Sequence, residues 1–304
     1  MRRTSVPTEL LERLRVSRDK DSLRHVRRIP AQSGTTGAWP AWVPGELLAA
    51  LAKQGVEAPW THQVEAAETA HAGRHVVIST GTASGKTLAY QLPALSDMLA
   101  DDAACALYLS PTKALAADQM RSIGELELGG ITAAVFDGDT PYEQREWLRR
   151  HARLLLSNPD MLHHGMLPRH ERWARFLKRL KYVIVDECHT YRGVFGSHVA
   201  LLLRRLRRVA ALYGAEPVFV LASATTGDPA YTASRLIGDE VHAVTDDASP
   251  RAGTTFALWE PPLLPDFTGE GGAPVRKSTL TESADLLTDL VTLGVRTVAF
   301  VGSR

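Results

Sequence analysis

Seven short runs of β-branched or apolar residues recur along the middle of the chain, at 75–79, 104–110, 131–136, 154–157, 182–185, 218–222 and 241–245. Several are apolar throughout instead of alternating with polar positions, the pattern of strands covered on both faces. Stretches with helical spacing lie between them, among them 85–100, 113–123 and 195–213. Strand–helix repetition of this kind predicts an α/β fold, a parallel sheet sandwiched by helices, with any ligand at the carboxyl ends of the strands. Upstream, residues 1–35 read as a basic helical arm ending in a polar loop, followed by Trp-Pro-rich turns and a helix near 46–54. Downstream of residue 245 the alternation weakens. The Pro- and Gly-rich stretch around 261–272 reads as a linker, then come a helix near 281–293 and a strand near 296–301. The expected divisions are 1–55, 56–250, 251–278 and 279–304.

Composition changes this picture little. Among the 304 residues, 44% are hydrophobic and 23% charged, as in a globular chain with a sizeable core, and no apolar run approaches the ~20 residues that span a bilayer. The first residues are charged rather than apolar, so no secretory leader is expected and a cytoplasmic location is. Cys105 and Cys188 are the two cysteines, without ligand-spaced neighbours, so neither a disulfide framework nor zinc is expected within these residues. Net charge is +1, but nine Arg/Lys against four Asp/Glu fall in residues 1–30, and Arg204-Arg205-Leu206-Arg207-Arg208 is a second basic cluster. Such patches suit phosphate contacts or a solvated helix face.

The chemistry begins at Ser79-Thr80-Gly81-Thr82-Ala83-Ser84-Gly85-Lys86-Thr87, directly after an expected strand and before an expected helix. In a phosphate loop, backbone N–H groups of Thr80, Gly81, Thr82, Ala83, Ser84 and Gly85 wrap a phosphate, aided by the helix N-terminus. Lys86 reaches the β- and γ-phosphates and the Thr87 hydroxyl ligates Mg²⁺. Thr80 stands where the general pattern has glycine. About a hundred residues on, Lys181-Tyr182-Val183-Ile184-Val185-Asp186-Glu187-Cys188-His189 ends an apolar run in two carboxylates. Asp186 would hold Mg²⁺ through its water shell and Glu187 would polarise the water that attacks the γ-phosphate. ATP and Mg²⁺ are therefore the expected cofactors.

Asp-Glu-x-His resembles the signature of the superfamily 2 DEAD/DEAH-box helicases, and further segments resemble their other motifs in order. Gln63 of Trp60-Thr61-His62-Gln63 resembles the glutamine that reads adenine, with Trp60 beside it. Pro111-Thr112-Lys113-Ala114-Leu115 and Ser157-Asn158-Pro159-Asp160 resemble the motifs that touch the nucleic-acid backbone, so Pro111, Thr112, Lys113, Asn158, Pro159 and Asp160 are the implied contacts. Ser223-Ala224-Thr225 resembles the motif that couples hydrolysis to domain movement, and His189 is implied to link it to the nucleotide. Phe300-Val301-Gly302-Ser303-Arg304 resembles the opening of a second motor domain. With Asp137-Gly138-Asp139-Thr140-Pro141 and Tyr191-Arg192-Gly193-Val194-Phe195-Gly196-Ser197-His198-Val199, the likeness narrows to the mitomycin-repair (YprA/MrfA-like) helicases, relatives of the Hrq and Lhr helicases.

That resemblance implies a RecA-like P-loop domain with a basic N-terminal arm and the truncated start of a second RecA-like domain. It also implies an ATP-dependent, 3′→5′ DNA helicase of DNA repair acting on single-stranded or tailed DNA. An RNA helicase, a non-unwinding translocase and a nucleotide-binding scaffold remain as alternatives, and a P-loop kinase leaves the later motifs unexplained. Later motifs, with their arginine finger, are absent from residues 1–304, so this chain alone is expected to bind nucleotide and hydrolyse it weakly. The residues Tyr191, Arg192 and Phe195 either touch DNA or dock the helix that follows.

Overall fold

A computed structural model describes residues 6–18 and 21–302, and its chain forms two compact units, one of 33–250 and one of 1–32 with 251–304. The expected Ser303 and Arg304 lie outside the described residues.

All seven apolar runs become strands of one parallel sheet in the 33–250 unit: β1 (Val76–Ser79), β2 (Cys105–Leu109), β3 (Ala133–Val135), β4 (Leu154–Ser157), β5 (Leu180–Val185), β6 (Val218–Ser223) and β7 (His242–Val244). Their spatial order is β3-β4-β2-β5-β6-β1-β7. Alternation of side chains across each strand divides the core in two. Ile78, Tyr108, Leu156, Tyr182, Ile184 and Val220 face one layer with Leu92, Leu95 and Met98 of the helix Lys86–Ala100. Val77, Leu107, Leu155, Val183 and Phe219 face the other, against Trp173, Phe176 and the Leu203 and Leu206 stripe of the helix Gly193–Leu212. Both faces are covered, which is why the strands read as unbroken apolar runs.

Because the strands are parallel, every carboxyl end reaches the same edge. Ser79 is in register with Ser223, Val185 with Leu221, and Leu109 with both Ser157 and Val185. Apart from Gln63, on the helix Thr61–His71 ahead of β1, the segments of this unit expected to carry chemistry follow those ends. At the opposite edge Arg153 is buried and donates to the carbonyls of Ala104, Met98, Asp101 and Gly130, tying the end of the Lys86–Ala100 helix to the starts of β2 and β4.

The second unit differs from its sequence reading. After the helix Val6–Ser17 the basic arm turns into a strand, Leu23–Ile29, paired antiparallel with Thr254–Trp259. Residues read as a linker thus supply strands, and Leu263–Thr268 pairs with Pro274–Arg276 as well. These are half-exposed two-stranded ribbons, with Gly271 and Gly272 at the turn and Pro265 inside a strand, so their pattern lacks the buried strand's signal. The helix Thr279–Thr292 forms as expected, capped by Ser278. Residues 295–302 are not a strand, because among the described residues they have no ladder partner.

Candidate functional site

The loop after β1 owes its shape to particular side chains as well as to glycine. Thr80 is buried, and its hydroxyl lies 2.7 Å from that of Ser84, closing the loop side chain to side chain where the general pattern has glycine. Gly85 adopts φ +77°, and a Cβ there would stand 2.5 Å from Gln63 Nε2, so a side chain would be strained and would displace Gln63. Ala83 also sits at positive φ, +59°, a conformation that costs a residue with a Cβ. The Lys86 ammonium turns back into the loop, donating to the carbonyls of Gly81 at 2.8 Å and Thr80 at 3.2 Å.

The acid pair follows β5, with β6 between it and the loop strand. Asp186 is buried. Its Oδ2 accepts from the Tyr108 hydroxyl at 2.6 Å and its Oδ1 from the Glu187 N–H at 2.9 Å, so the carboxylate is fixed in direction. Glu187 has φ +48°, strained for a residue with a side chain. Burial pushes the Lys86 ammonium below the usual lysine range, while the charges of Glu187, Asp186 and Asp247 pull it back up. The two carboxylates thus lie near enough to the loop lysine to favour its charged form. Thr87 Oγ1 is approached by Tyr90 Oη at 3.3 Å and Gln119 Nε2 at 3.4 Å.

His189 ties the acids to the segment after β6. The Ala224 N–H donates to His189 Nδ1 at 3.1 Å, while Glu187 Oε2 lies 3.2 Å from the same nitrogen. One nitrogen cannot do both: with Nδ1 bare the ring accepts from Ala224, and with a proton on Nδ1 it donates to Glu187 and gives up Ala224. Ser223 and Ser79 hydroxyls both donate to the Ala224 carbonyl, joining β6 to the start of the phosphate loop. Cys188 is buried, and burial pushes its thiol up to about 12, so it packs as a small apolar group.

Gln63 reaches the loop from the helix Thr61–His71. Its amide oxygen accepts from the Trp60 N–H at 2.7 Å and its nitrogen donates to the Gly85 carbonyl at 2.8 Å. Beside it opens a cleft of about 520 Å³, lined in part by Thr36, Gln54, Val56, Trp60, Gln63, Thr87 and Leu88.

Pro111-Thr112-Lys113 and Asn158-Pro159-Asp160 stand at the ends of β2 and β4, along the same edge on the other side of β5. Thr112 caps the helix Lys113–Gly124 by accepting from Leu115 N–H, and Asn158 accepts from Met161 N–H. Lys113 and Asp160 are exposed, and Lys113 is ion-paired with Asp139 from the turn after β3. Gly196 packs so closely on the Tyr191 carbonyl that a Cβ would lie 2.4 Å from its oxygen, which explains the compact Tyr191–Gly196 turn, while Phe195 remains half-exposed. His75 accepts from the Phe219 N–H and His71 stacks on Trp42, structural roles both. Among the described residues no group of three or more His, Cys, Asp or Glu forms a metal cluster, and no helix is long and apolar enough to cross a membrane.

Sequence reading missed Tyr108, His62 and Asp247. The first orients Asp186, and the other two touch the phosphate loop directly.

A model of the DEAD/DEAH box helicase family matches residues 60–233. Among curated proteins, the ATP-dependent helicase YprA of Bacillus subtilis is 37% identical over 300 residues, 98% of this chain and 39% of that protein. The ATP-dependent helicase hrq1 of Schizosaccharomyces pombe is 38% identical over 283 residues, 90% of this chain and 26% of that protein. The crystal structure of the DUF1998 helicase MrfA bound to DNA and AMPPNP superposes with a TM-score of 0.86 at 36% identity, covering 93% of this chain and 39% of that one. The DEAD-box helicase Mss116, bound to single-stranded RNA, is 15% identical with a TM-score of 0.59, a likeness of fold alone. The chain thus spans about two-fifths or less of the length of these relatives.

Proposed function

The chain belongs to the DEAD/DEAH box helicase family, and from that premise we propose that it is the nucleotide-binding motor unit of an ATP-dependent DNA helicase. The observation that carries this reading is geometric: the loop after β1 and Asp186-Glu187 after β5 leave the same edge of the parallel sheet, one strand apart. Lys86, Asp186 and Glu187, about a hundred residues apart in sequence, are thereby brought to one stretch of that edge.

On this reading the backbone N–H groups from Thr82 to Lys86 cradle the phosphates of ATP, that of Gly81 being held by Asp247, and Lys86 exchanges its two loop carbonyls for β- and γ-phosphate oxygens. Adenine enters the cleft beside Trp60 and Gln63. The Gln63 amide, now satisfied by Trp60 N–H and the Gly85 carbonyl, trades one of those bonds to read the base. Thr87 and Asp186 fit a magnesium ion, whose charge would offset that of the phosphate oxygens. Tyr108 keeps the Asp186 carboxylate aimed, and Glu187 takes the proton of the attacking water. His189, shared between Glu187 and Ala224, then passes the state of the acid to Ser223-Ala224-Thr225.

Pro111, Thr112, Lys113, Asn158, Pro159 and Asp160 form the nucleic-acid edge, where the N-terminus of the helix Lys113–Gly124 and the Lys113 ammonium suit a phosphate backbone. DNA is favoured over RNA because MrfA, similar over most of this chain, was solved with DNA, whereas the RNA-bound Mss116 shares the fold alone. Translocation, 3′→5′ polarity and a role in DNA repair belong to the same proposal. Its test is ATP turnover by the full-length protein with single-stranded DNA or RNA added. Stimulation by DNA, with strand displacement from 3′-tailed duplexes, is expected. Stimulation by RNA alone would replace the DNA reading, and DNA binding without turnover would leave a scaffold.

A further inference from the structure

The chain leaving β7 does more than pass the phosphate loop. Asp247 Oδ2 accepts from the Gly81 N–H at 2.9 Å, while Oδ1 accepts from the Ser249 N–H at 3.0 Å and the Ser249 hydroxyl at 2.6 Å. One residue on, the Ala248 N–H donates to His62 Nδ1 at 3.2 Å. The other ring nitrogen of His62, Nε2, lies 3.1 Å from the Ser84 carbonyl oxygen. Together these two contacts fix the tautomer: Nδ1 must offer its lone pair, so Nε2 carries the proton and donates to Ser84. His62 is 2% exposed and Ser249 4%, so the bonds form away from competing water.

Residues 247–248 therefore grip the loop at two points, Gly81 near its entry and Ser84 beside Gly85. Between those points lies Ala83, held at a positive φ that an unsupported loop would relax. An anion site made of backbone N–H groups binds well only if those groups already converge, because ordering a slack loop offsets the binding energy. We propose that Asp247 and His62 are positioning residues for nucleotide binding, a clasp that holds the phosphate loop in its anion-binding shape. The idea rests on the reading of that loop as the ATP phosphate site. Ser249 is the second support, since its hydroxyl and N–H hold the Asp247 carboxylate in place.

The test is titration of a fluorescent ATP analogue with Mg²⁺ into the chain and its variants, with amide exchange at residues 81–84 followed alongside. Asp247→Ala is expected to weaken binding about tenfold, the size of one lost charge-assisted hydrogen bond, and to speed exchange at Gly81. Asp247→Asn keeps an acceptor for Gly81 and should recover most of the loss. His62→Gln, able to accept from Ala248 and donate to Ser84, should bind better than His62→Ala. If Asp247→Ala does not fold, Ser249→Ala stands in, with about threefold weaker binding expected. Wild-type affinity and exchange in these variants, while Lys86→Ala loses binding, would overturn the clasp and leave the loop's role intact. Equal binding by wild type and Lys86→Ala would remove the phosphate-site reading and the clasp with it.

Discussion

The carboxyl edge of the sheet has two halves, divided at β5, and they are built on different principles. On the half proposed for nucleotide, Ser79, Thr80, Ser84, Asp186 and Ser223 are buried, Ser79 and Ser223 bonded to Ala224, Thr80 to Ser84, and Asp186 to Tyr108 and Glu187, so the groups are aimed before any ligand arrives. The other half presents Thr112, Lys113 and Asp160 to solvent, ordered by helix caps and the Lys113–Asp139 ion pair. The first architecture suits a small ligand of fixed geometry, and the second suits a polymer that must be gripped and released in steps. Changes on the buried half should therefore be large and those on the open half graded.

The sharpest break expected is Glu187→Gln in the full-length protein, which leaves ATP binding in place and lowers turnover about 10²–10⁴-fold, the reach of a lost general base. Steady-state hydrolysis set beside equilibrium binding reads both terms. Next, Lys86→Ala should weaken ATP about 100-fold, measured by titration calorimetry, since its charge meets the phosphates directly. On the open half, Lys113→Ala should weaken DNA binding only a few-fold and flatten its salt dependence by about one unit of slope. Asp139→Asn, which frees Lys113 from its ion pair, should act in the opposite direction, and fluorescence anisotropy against salt would show it.

The smallest effect lies at the sheet's far edge. Burial holds His75 below the ordinary histidine value of 6.5, aided by Arg207, and its Nδ1 accepts from Phe219 N–H. The folded state thus prefers the neutral ring and the unfolded state binds the proton more readily. The stabilisation is full above pH 6.5 and is lost as pH falls through the depressed folded value. Thermal melts between pH 7.5 and 5 should fall with acid, and less steeply in His75→Gln.

How much of this was legible in the sequence depended on burial. All seven sheet strands and the helices Lys86–Ala100 and Gly193–Leu212 were readable because two-sided burial leaves unbroken apolar runs and an amphipathic stripe. Leu23–Ile29 was not: it carries Arg24, Arg27 and Arg28, and its partner Thr254–Trp259 lies more than two hundred residues away. No local pattern announces such a pairing. Thr80 through Thr87 and Asp186-Glu187 announced themselves by spacing, whereas Tyr108, His62 and Asp247 gain their roles only from apposition across 78, 22 and 166 residues. Single polar residues brought together by the fold leave no periodic trace.

The central claim, that Lys86, Thr87, Asp186 and Glu187 surround one nucleotide-bound ion, is tested most directly by a crystal structure of the chain with Mg²⁺ and a non-hydrolysable ATP analogue. The account predicts one ion at ~2.1 Å from Thr87 Oγ1, a water between it and Asp186, and Lys86 on the phosphate oxygens. Phosphates bound away from the Thr80–Thr87 loop, or an ion that Asp186 and Thr87 do not share, would contradict it.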